Sequence, residues 1–272
     1  MRSFGLALFA GVVLAGGLPG GGAQAAQCGG DFNTFVASIS REAAAAGISQ
    51  GVISQALGGV QQDQAVLNFD RRQRGTFRKS FEQYVATRVG AGRIKGGQAM
   101  LQRNASLLAR IEKQYGVPPQ ILVAIWGLET DFGVNLGKFP TLRSLATLAY
   151  DCRRSEMFRD ELMDALRIIE RGDLKAAEMR GAWAGELGQT QFMPSSYIKF
   201  AVDFDANGRR DLLRSTPDVL ASTANFLAGY GWQRGKDWEP GSANFKVLQQ
   251  WNKSEVYAKT IGYFASQLAH AP

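Results

Sequence analysis

Apolar positions recur along this chain with the period of a helix rather than a strand. From Phe32 to about Leu108 the pattern is polar and amphipathic, broken at Gly47 and at Gly58–Gly59. Ser49 followed by Gly51–Leu57 predicts a short helix capped by its serine. Pro118–Pro119 open a more apolar one, in which Ile121, Leu122, Ile125, Leu128 and Phe132 share one face. Further helices are expected over Thr141–Tyr150, Phe158–Arg171 (closed by Gly172-Asp173) and Pro217–Tyr230. The last has a cap at Ser215 or Thr216 and stop signals at Gly229 and Gly231. Strand signals are scarce. The expected fold class is mainly α, with irregular loops and a small β element around a cleft.

One carboxylate breaks this pattern. At about 100° per residue Glu129 falls inside the apolar face, beside Leu122 and Ile125, while Asp131 points away from it. A buried carboxylate is costly when ionised, so its pKa rises. A carboxyl kept protonated near neutral pH is what general-acid cleavage of an ether-like bond requires. A glutamate neutralised by a buried arginine, or one capping a neighbouring helix, would give the same pattern.

The chain starts with Arg2, an apolar small-residue run from Phe4 to Leu18 and then Ala23-Gln24-Ala25, which reads as a secretory signal removed near Ala25. The run carries several glycines and Pro19, which disfavours a retained anchor. Gln27 before Cys28 and the lack of a leucine three before it disfavour a lipid-modified cysteine. No other stretch approaches the roughly 20 apolar residues that span a bilayer, so stable membrane insertion is not expected. In an oxidising compartment Cys28 and Cys152 are expected to form one disulfide, the alternative being two separate buried thiols. The formal charge of +7 suits an anionic polymer; export sets nucleic acid aside and leaves envelope polymers ahead. The lone histidine, His270, lies at the end of the chain, which disfavours serine, cysteine or zinc chemistry that depends on histidine.

Four segments concentrate unusual residues. The basic cluster Asp70–Arg74 with Arg78-Lys79 reads as a solvated helix face or as a surface turned toward a polymer. Gly181–Tyr197 is too rich in glycine and amides for a core element and resembles a loop that lets backbone approach a ligand, with Gln191 as donor and acceptor. Asn252 and Tyr257 near Trp251 suit sugar faces and hydroxyls, although ordinary helix packing would use the same residues. Asp203, Asp205, Asn207, Gly208 and Arg209 fit the first half of an EF-hand loop, with oxygen ligands at alternate positions and glycine at the sixth. Its closing twelfth position is Arg214 instead of glutamate, so Asp211 or Asp218 would supply the last carboxylate. An ion-free Asp/Asn-rich turn is the alternative.

Together these segments resemble the exported lytic murein transglycosylases of the membrane-bound B type, which have a lysozyme-like core. The resemblance rests on Tyr115–Pro119, Gly127–Gly133 (GLETDFG), Arg153-Arg154, Gly188–Tyr197 (GQTQFMPSSY) and Val202–Gly208. It extends through Ala224–Trp232 and Trp251–Tyr257, covering nearly all of the chain after the signal. It implies a signal peptide over 1–25, an N-terminal helical region over 26–110 packing on the core, and a lysozyme-like core over 111–272 with its EF-hand-like loop. It implies that Glu129 is the single acid/base and that Tyr84, Arg153, Arg154, Gln191, Asn252 and Tyr257 line a glycan cleft. The acidic loop, Asp203, Asp205, Asn207, Arg209 and Asp218, would hold a structural calcium, with no cofactor for catalysis.

The implied reaction cleaves the MurNAc–GlcNAc β-1,4 bond of peptidoglycan in the periplasm and leaves 1,6-anhydro-MurNAc ends, by one group that cycles from acid to base. Most glycosidases use two carboxylates instead. A hydrolytic muramidase using Glu186 as partner, and a non-catalytic wall-binding scaffold, are the rival readings. Cell-wall synthases or amidases are the partner classes in view, and a monomer is expected. The chain departs from the family pattern at Ala182 (serine), Phe226 (tyrosine), Trp251 (tyrosine) and Glu186 (a small residue), which bears on rate and subsite preference.

Overall fold

The structure is a computed structural model that describes residues 27–72 and 80–269. The signal reading over 1–25, the basic residues Arg74, Arg78 and Lys79, and His270 lie outside them. At its centre is the helix opened by the two prolines, α7 in chain order (Pro119–Thr130). Pro118 is its extended cap, Pro119 sits at its first position, and Ile121 to Leu128 are all buried. A helix that is apolar all round must be enclosed. It is enclosed by α5 (Ala91–Arg103), α6 (Ala105–Tyr115), α11 (Thr216–Gly229) and α13 (Glu255–Ala269). Gly127 permits this: a Cβ there would lie 2.7 Å from Phe132 and 3.0 Å from Phe264.

Beside this group α8 (Thr141–Tyr150) packs on α9 (Ser155–Glu170), and α10 (Pro194–Phe200) packs on α9. The N-terminal helices α1 (Phe32–Ala45), α2 (Gln50–Leu57) and α3 (Gln64–Arg72) lie against α8 and α9, and α4 (Phe81–Arg88) lies against α13. The apolar core runs without interruption from Phe35 to Leu268. The small β element is a two-stranded antiparallel sheet, β1 (Phe139–Pro140) with β2 (Arg180–Gly181), so the mainly α fold class is borne out. Cys28 and Cys152 are disulfide-bonded, 124 residues apart in the chain. Beside the bond, Gly29 N donates to Tyr150 O (3.0 Å) and the Tyr150 hydroxyl to Gly30 O (2.5 Å).

Several element boundaries differ from the periodicity. The central helix stops at Thr130, because Asp131 and Phe132 adopt left-handed backbone (φ 50° and 61°); Phe132 therefore folds back edge-on to Trp126 instead of continuing the face. The helix expected from Phe158 already begins at Ser155. Two helices not read from the sequence, α12 (Ala243–Trp251) and α13, carry Trp251 and Tyr257, and Asn252 caps the first of them. Their interruption by Asn252–Ser254 hides the helical period.

Candidate active site

The end of α7 is pinned to the glycine-rich loop by side chains that are themselves buried. Trp126 Nε1 donates to Gln189 Oε1 (2.9 Å), Thr130 Oγ1 donates to Gln189 O (2.5 Å), and Gln189 Nε2 donates to Leu213 O (3.0 Å). Asp131 is held outside by Arg93 Nε (2.7 Å). Gln189 went unmarked in the sequence reading, because an amide inside an amide-rich loop looks like any other.

The loop is equally fixed. Leu187 and Phe192 exchange backbone hydrogen bonds of 2.9 Å, and a Cβ at Gly181 would lie 1.6 Å from Glu186 O, so only glycine fits there. Gln191 takes φ 51°. Its Nε2 donates to Leu136 O (3.1 Å) and Gly188 O (2.8 Å), and its Oε1 accepts from Ala182 N (3.2 Å). Its amide thus braces the cleft wall that it lines.

Glu129 faces a cleft of about 440 Å³ lined also by Ala182, Glu186, Gln191, Phe226, Trp251 and Asn252. A larger depression of about 730 Å³ lies beside α1. It is the lesser candidate because no buried titrating group lines it and it lies away from α7. Two donors converge on one oxygen of Glu129: Trp251 Nε1 (2.9 Å) and the Tyr257 hydroxyl (2.7 Å) both reach Oε1. Its Oε2 takes no hydrogen bond from the described residues.

Burial raises the Glu129 pKa from 4.5 to about 7. The two hydrogen bonds oppose the rise, the charge of Glu186 adds to it, and Arg88 opposes it weakly. Burial likewise holds the Tyr257 hydroxyl protonated, reinforced by Glu129. Donors aimed at one oxygen stabilise the carboxylate form, while the dry setting favours the acid, so the group is balanced to act as either.

The other expected site residues are distributed unevenly. Asn252 lines the cleft, and its Oδ1 accepts from Ser254 N (2.9 Å). Tyr257 is buried against the acid rather than facing the open cleft, and Tyr84 packs edge-on to it with ring centroids 6.3 Å apart. Arg153 and Arg154 do not line this cavity: both form ion pairs with the buried Asp70 of α3, which docks that helix onto the start of α9. Their side chains remain 37% and 39% exposed, and the Arg154 guanidinium also lies over the Phe158 ring.

In the acidic loop, Asp203, Asp205 and Asp218 bring carboxylate oxygens within 4.8 Å of one another. Asp203 also accepts from the backbone N–H groups of Asn207 and Gly208, and Asp218 from those of Phe204 and Asp211. Asn207 Oδ1 accepts from Arg209 N (3.1 Å). Arg214 turns away, its guanidinium bonded to Asp211 (2.9 Å) and Glu178 (3.0 Å), so its charge is compensated outside the cluster. Ser215 Oγ donates to Asp205 Oδ2 (2.7 Å). An all-oxygen set containing three carboxylates fits a hard cation such as calcium.

Residues 31–242 match the family model described as Transglycosylase SLT domain. Over 143 residues the chain is 37% identical to the membrane-bound lytic murein transglycosylase B of Escherichia coli (strain K12). That match spans 52% of this chain and 39% of the relative, less than half of its length. Among solved structures, SltB3 from Pseudomonas aeruginosa is similar at 31% identity. Its complexes with NAG-NAM-pentapeptide and NAG-anhNAM-pentapeptide give TM-scores of 0.85 and 0.84, over 89% of this chain and 81% and 80% of those chains. The soluble lytic transglycosylase SltB1 from the same organism is similar at 26% identity and a TM-score of 0.81, over 86% of this chain and 98% of that one.

Proposed function

The chain belongs to the family of proteins with a transglycosylase SLT domain, and from that membership and the chemistry of its cleft we propose that it is an exported lytic transglycosylase of peptidoglycan. The observation that carries this reading is Glu129: a carboxyl at the rim of an apolar core, with a pKa near 7 and both donors on one oxygen. Because Oε1 is already filled by Trp251 and Tyr257, the proton resides on Oε2. From there it passes to the oxygen joining MurNAc to GlcNAc. The acetamido oxygen of the substrate supports the cationic carbon. The glutamate left behind, stabilised by its two donors, then removes the proton of the muramoyl 6-hydroxyl, which attacks C1 and closes the 1,6-anhydro ring. No water enters the bond, and one group serves twice.

In this reading Gln191 and Asn252 hold the sugars beside the acid, Tyr84 and Tyr257 form its aromatic wall, and Arg153 and Arg154 meet the strand beyond the cavity. The reading places the protein in the periplasm as a monomer; among the described residues no helix is long and apolar enough to cross a membrane. Mass spectrometry of murein sacculi digested by the purified protein tests the function. Anhydro-MurNAc ends are expected. Reducing MurNAc ends alone would overturn the reading in favour of hydrolysis, for which Glu186 in the same cleft supplies a second carboxylate.

The acidic loop is proposed to hold calcium through Asp203, Asp205, Asn207 and Asp218, with the Arg209 carbonyl completing it, as a brace for the fold. A cation that binds only the native state raises stability with its concentration, by about 2.7 kcal/mol at a hundred times Kd. Calcium titration is therefore expected to raise the Tm of the wild type and not that of Asp205→Ala. Equal melting of both proteins with calcium and with chelator would reduce the loop to an ordinary turn.

A further inference from the structure

Tyr230 caps the end of α11 and lines the cavity of Glu129, yet it has no part in the chemistry described so far. It is 41% exposed, whereas Phe226, one turn before it, and Phe200 of α10 are 6% and 5% exposed. The three rings are in mutual contact, with centroids 4.7 Å (Phe226–Tyr230), 4.9 Å (Phe200–Phe226) and 5.5 Å (Phe200–Tyr230) apart. Gly229 permits this approach, since a Cβ there would lie 2.6 Å from Phe200. Lys199 places its ammonium 5.3 Å from the centre of the Tyr230 ring. The exposed ring is therefore braced by its neighbours before any ligand arrives, and ordering it on binding costs little.

Its place relative to the acid follows from a row of rings. Trp251 donates to Glu129 and packs edge-on against Phe226 with centroids 4.9 Å apart, and Phe226 packs against Tyr230. Trp251, Phe226 and Tyr230 all line the one cavity, so the row leads along its wall from the acid to the exposed tyrosine. The hydrogen-bonding capacity of the wall points the same way. Gln191 spends its amide on Leu136, Gly188 and Ala182, whereas the Tyr230 hydroxyl has no partner among the described residues. A braced ring with a free hydroxyl matches a pyranose, which has apolar C–H faces and a polar rim.

We propose that Tyr230 is a specificity-determining residue: it receives the sugar next to the pair joined at Glu129, against its ring and its hydroxyl. The assignment deepens the proposed function and rests on it for the identity of the glycan. It acts on binding, because the ring touches neither the scissile bond nor the acid.

The probe is the peptide-free murein tetrasaccharide of alternating GlcNAc and MurNAc, whose MurNAc–GlcNAc bond has a further sugar on either side. Tyr230→Leu keeps apolar bulk and removes the ring, and Tyr230→Phe keeps the ring and removes the hydroxyl. In the leucine variant KM is expected to rise about 5- to 10-fold with kcat little changed, and in the phenylalanine variant by less. Calorimetric Kd, measured without turnover in a Glu129→Gln background, is expected to follow the same order. Two trisaccharides each lack one flanking sugar, and one of them is expected to lose its sensitivity to Tyr230→Leu.

Unchanged KM and Kd in Tyr230→Leu would overturn the proposal, as would absence of tetrasaccharide binding. So would a fall in kcat with unmoved KM, which would mean that the ring acts through Trp251 on the acid. Equal sensitivity of both trisaccharides would make the loss a general loosening of the cleft and overturn it too. If the products carry only reducing ends but Kd rises in Tyr230→Leu, the sugar contact stands and the lytic reading falls. Circular dichroism and the Tm establish that each variant is folded.

Discussion

Glu129→Gln is expected to lower glycan cleavage at least ~10³-fold while leaving sacculus binding intact. The amide is isosteric and its oxygen still accepts from Trp251 and Tyr257, but it has no proton to give and none to take back. A variant that retains more than a small fraction of wild-type turnover would remove Glu129 from the acid/base role.

The same substitution has a stability consequence of definite sign. In the folded chain the Glu129 carboxyl keeps its proton up to about pH 7, against an ordinary 4.5. Between these values the folded state binds more protons than the unfolded state, so wild-type stability falls as pH rises through that window. Glutamine carries no such penalty. The variant should match the wild type below about pH 4 and exceed it increasingly up to pH 7 and above. The gain is of order 1–3 kcal/mol, reduced from the full shift because the side chain borders the open cleft. Chemical denaturation of both proteins at pH 4 and pH 8 measures it, and a pH-independent difference would mean that burial does not perturb Glu129.

Cys28→Ser is expected to have the largest effect on stability. The bond closes a segment of 124 residues, for which chain entropy gives a contribution of about 5 kcal/mol, often less in practice. The native state itself should change little. Gly29 and Gly30 remain hydrogen-bonded to Tyr150, whose ring packs edge-on to Phe32 (5.2 Å) and Phe35 (5.6 Å). Turnover at 25 °C should therefore persist, because the groups that hold Glu129 come from α12 and α13. Equilibrium denaturation under oxidising and reducing conditions provides the measurement, with the variant as the reduced reference. A loss below about 1 kcal/mol would mean that the aromatic anchor alone fastens the N-terminus.

Much of the site was legible because it is local. The apolar period of α7 and the prolines at its start place Glu129 in the wrong solvent without any other part of the chain, and the Asp203–Arg209 spacing brings its oxygens together within one turn. The cysteine pair followed from compartment and number. Other features have no local signature. Nothing near Arg153 and Arg154, expected to line the cleft, shows that both pair with Asp70, more than eighty residues earlier. Nor does the spacing of Trp251 and Tyr257, part of the expected polar-aromatic group, show that both donate to the acid.

The sequence by itself determined that this protein is mainly helical, that it buries one carboxyl on an apolar helix, and that its two cysteines and its acidic loop have partners to find. Only the tertiary structure decided which oxygen of that carboxyl is occupied, by donors 122 and 128 residues further along the chain. It likewise decided that Gln189 locks the helix end and that Arg214 faces away from the acidic cluster. Hydrophobic period is a property of neighbours within a few turns, and side-chain chemistry is read residue by residue. Convergence of donors from α12 and α13 onto Glu129 depends on how helices cross, which is settled by packing the whole core at once.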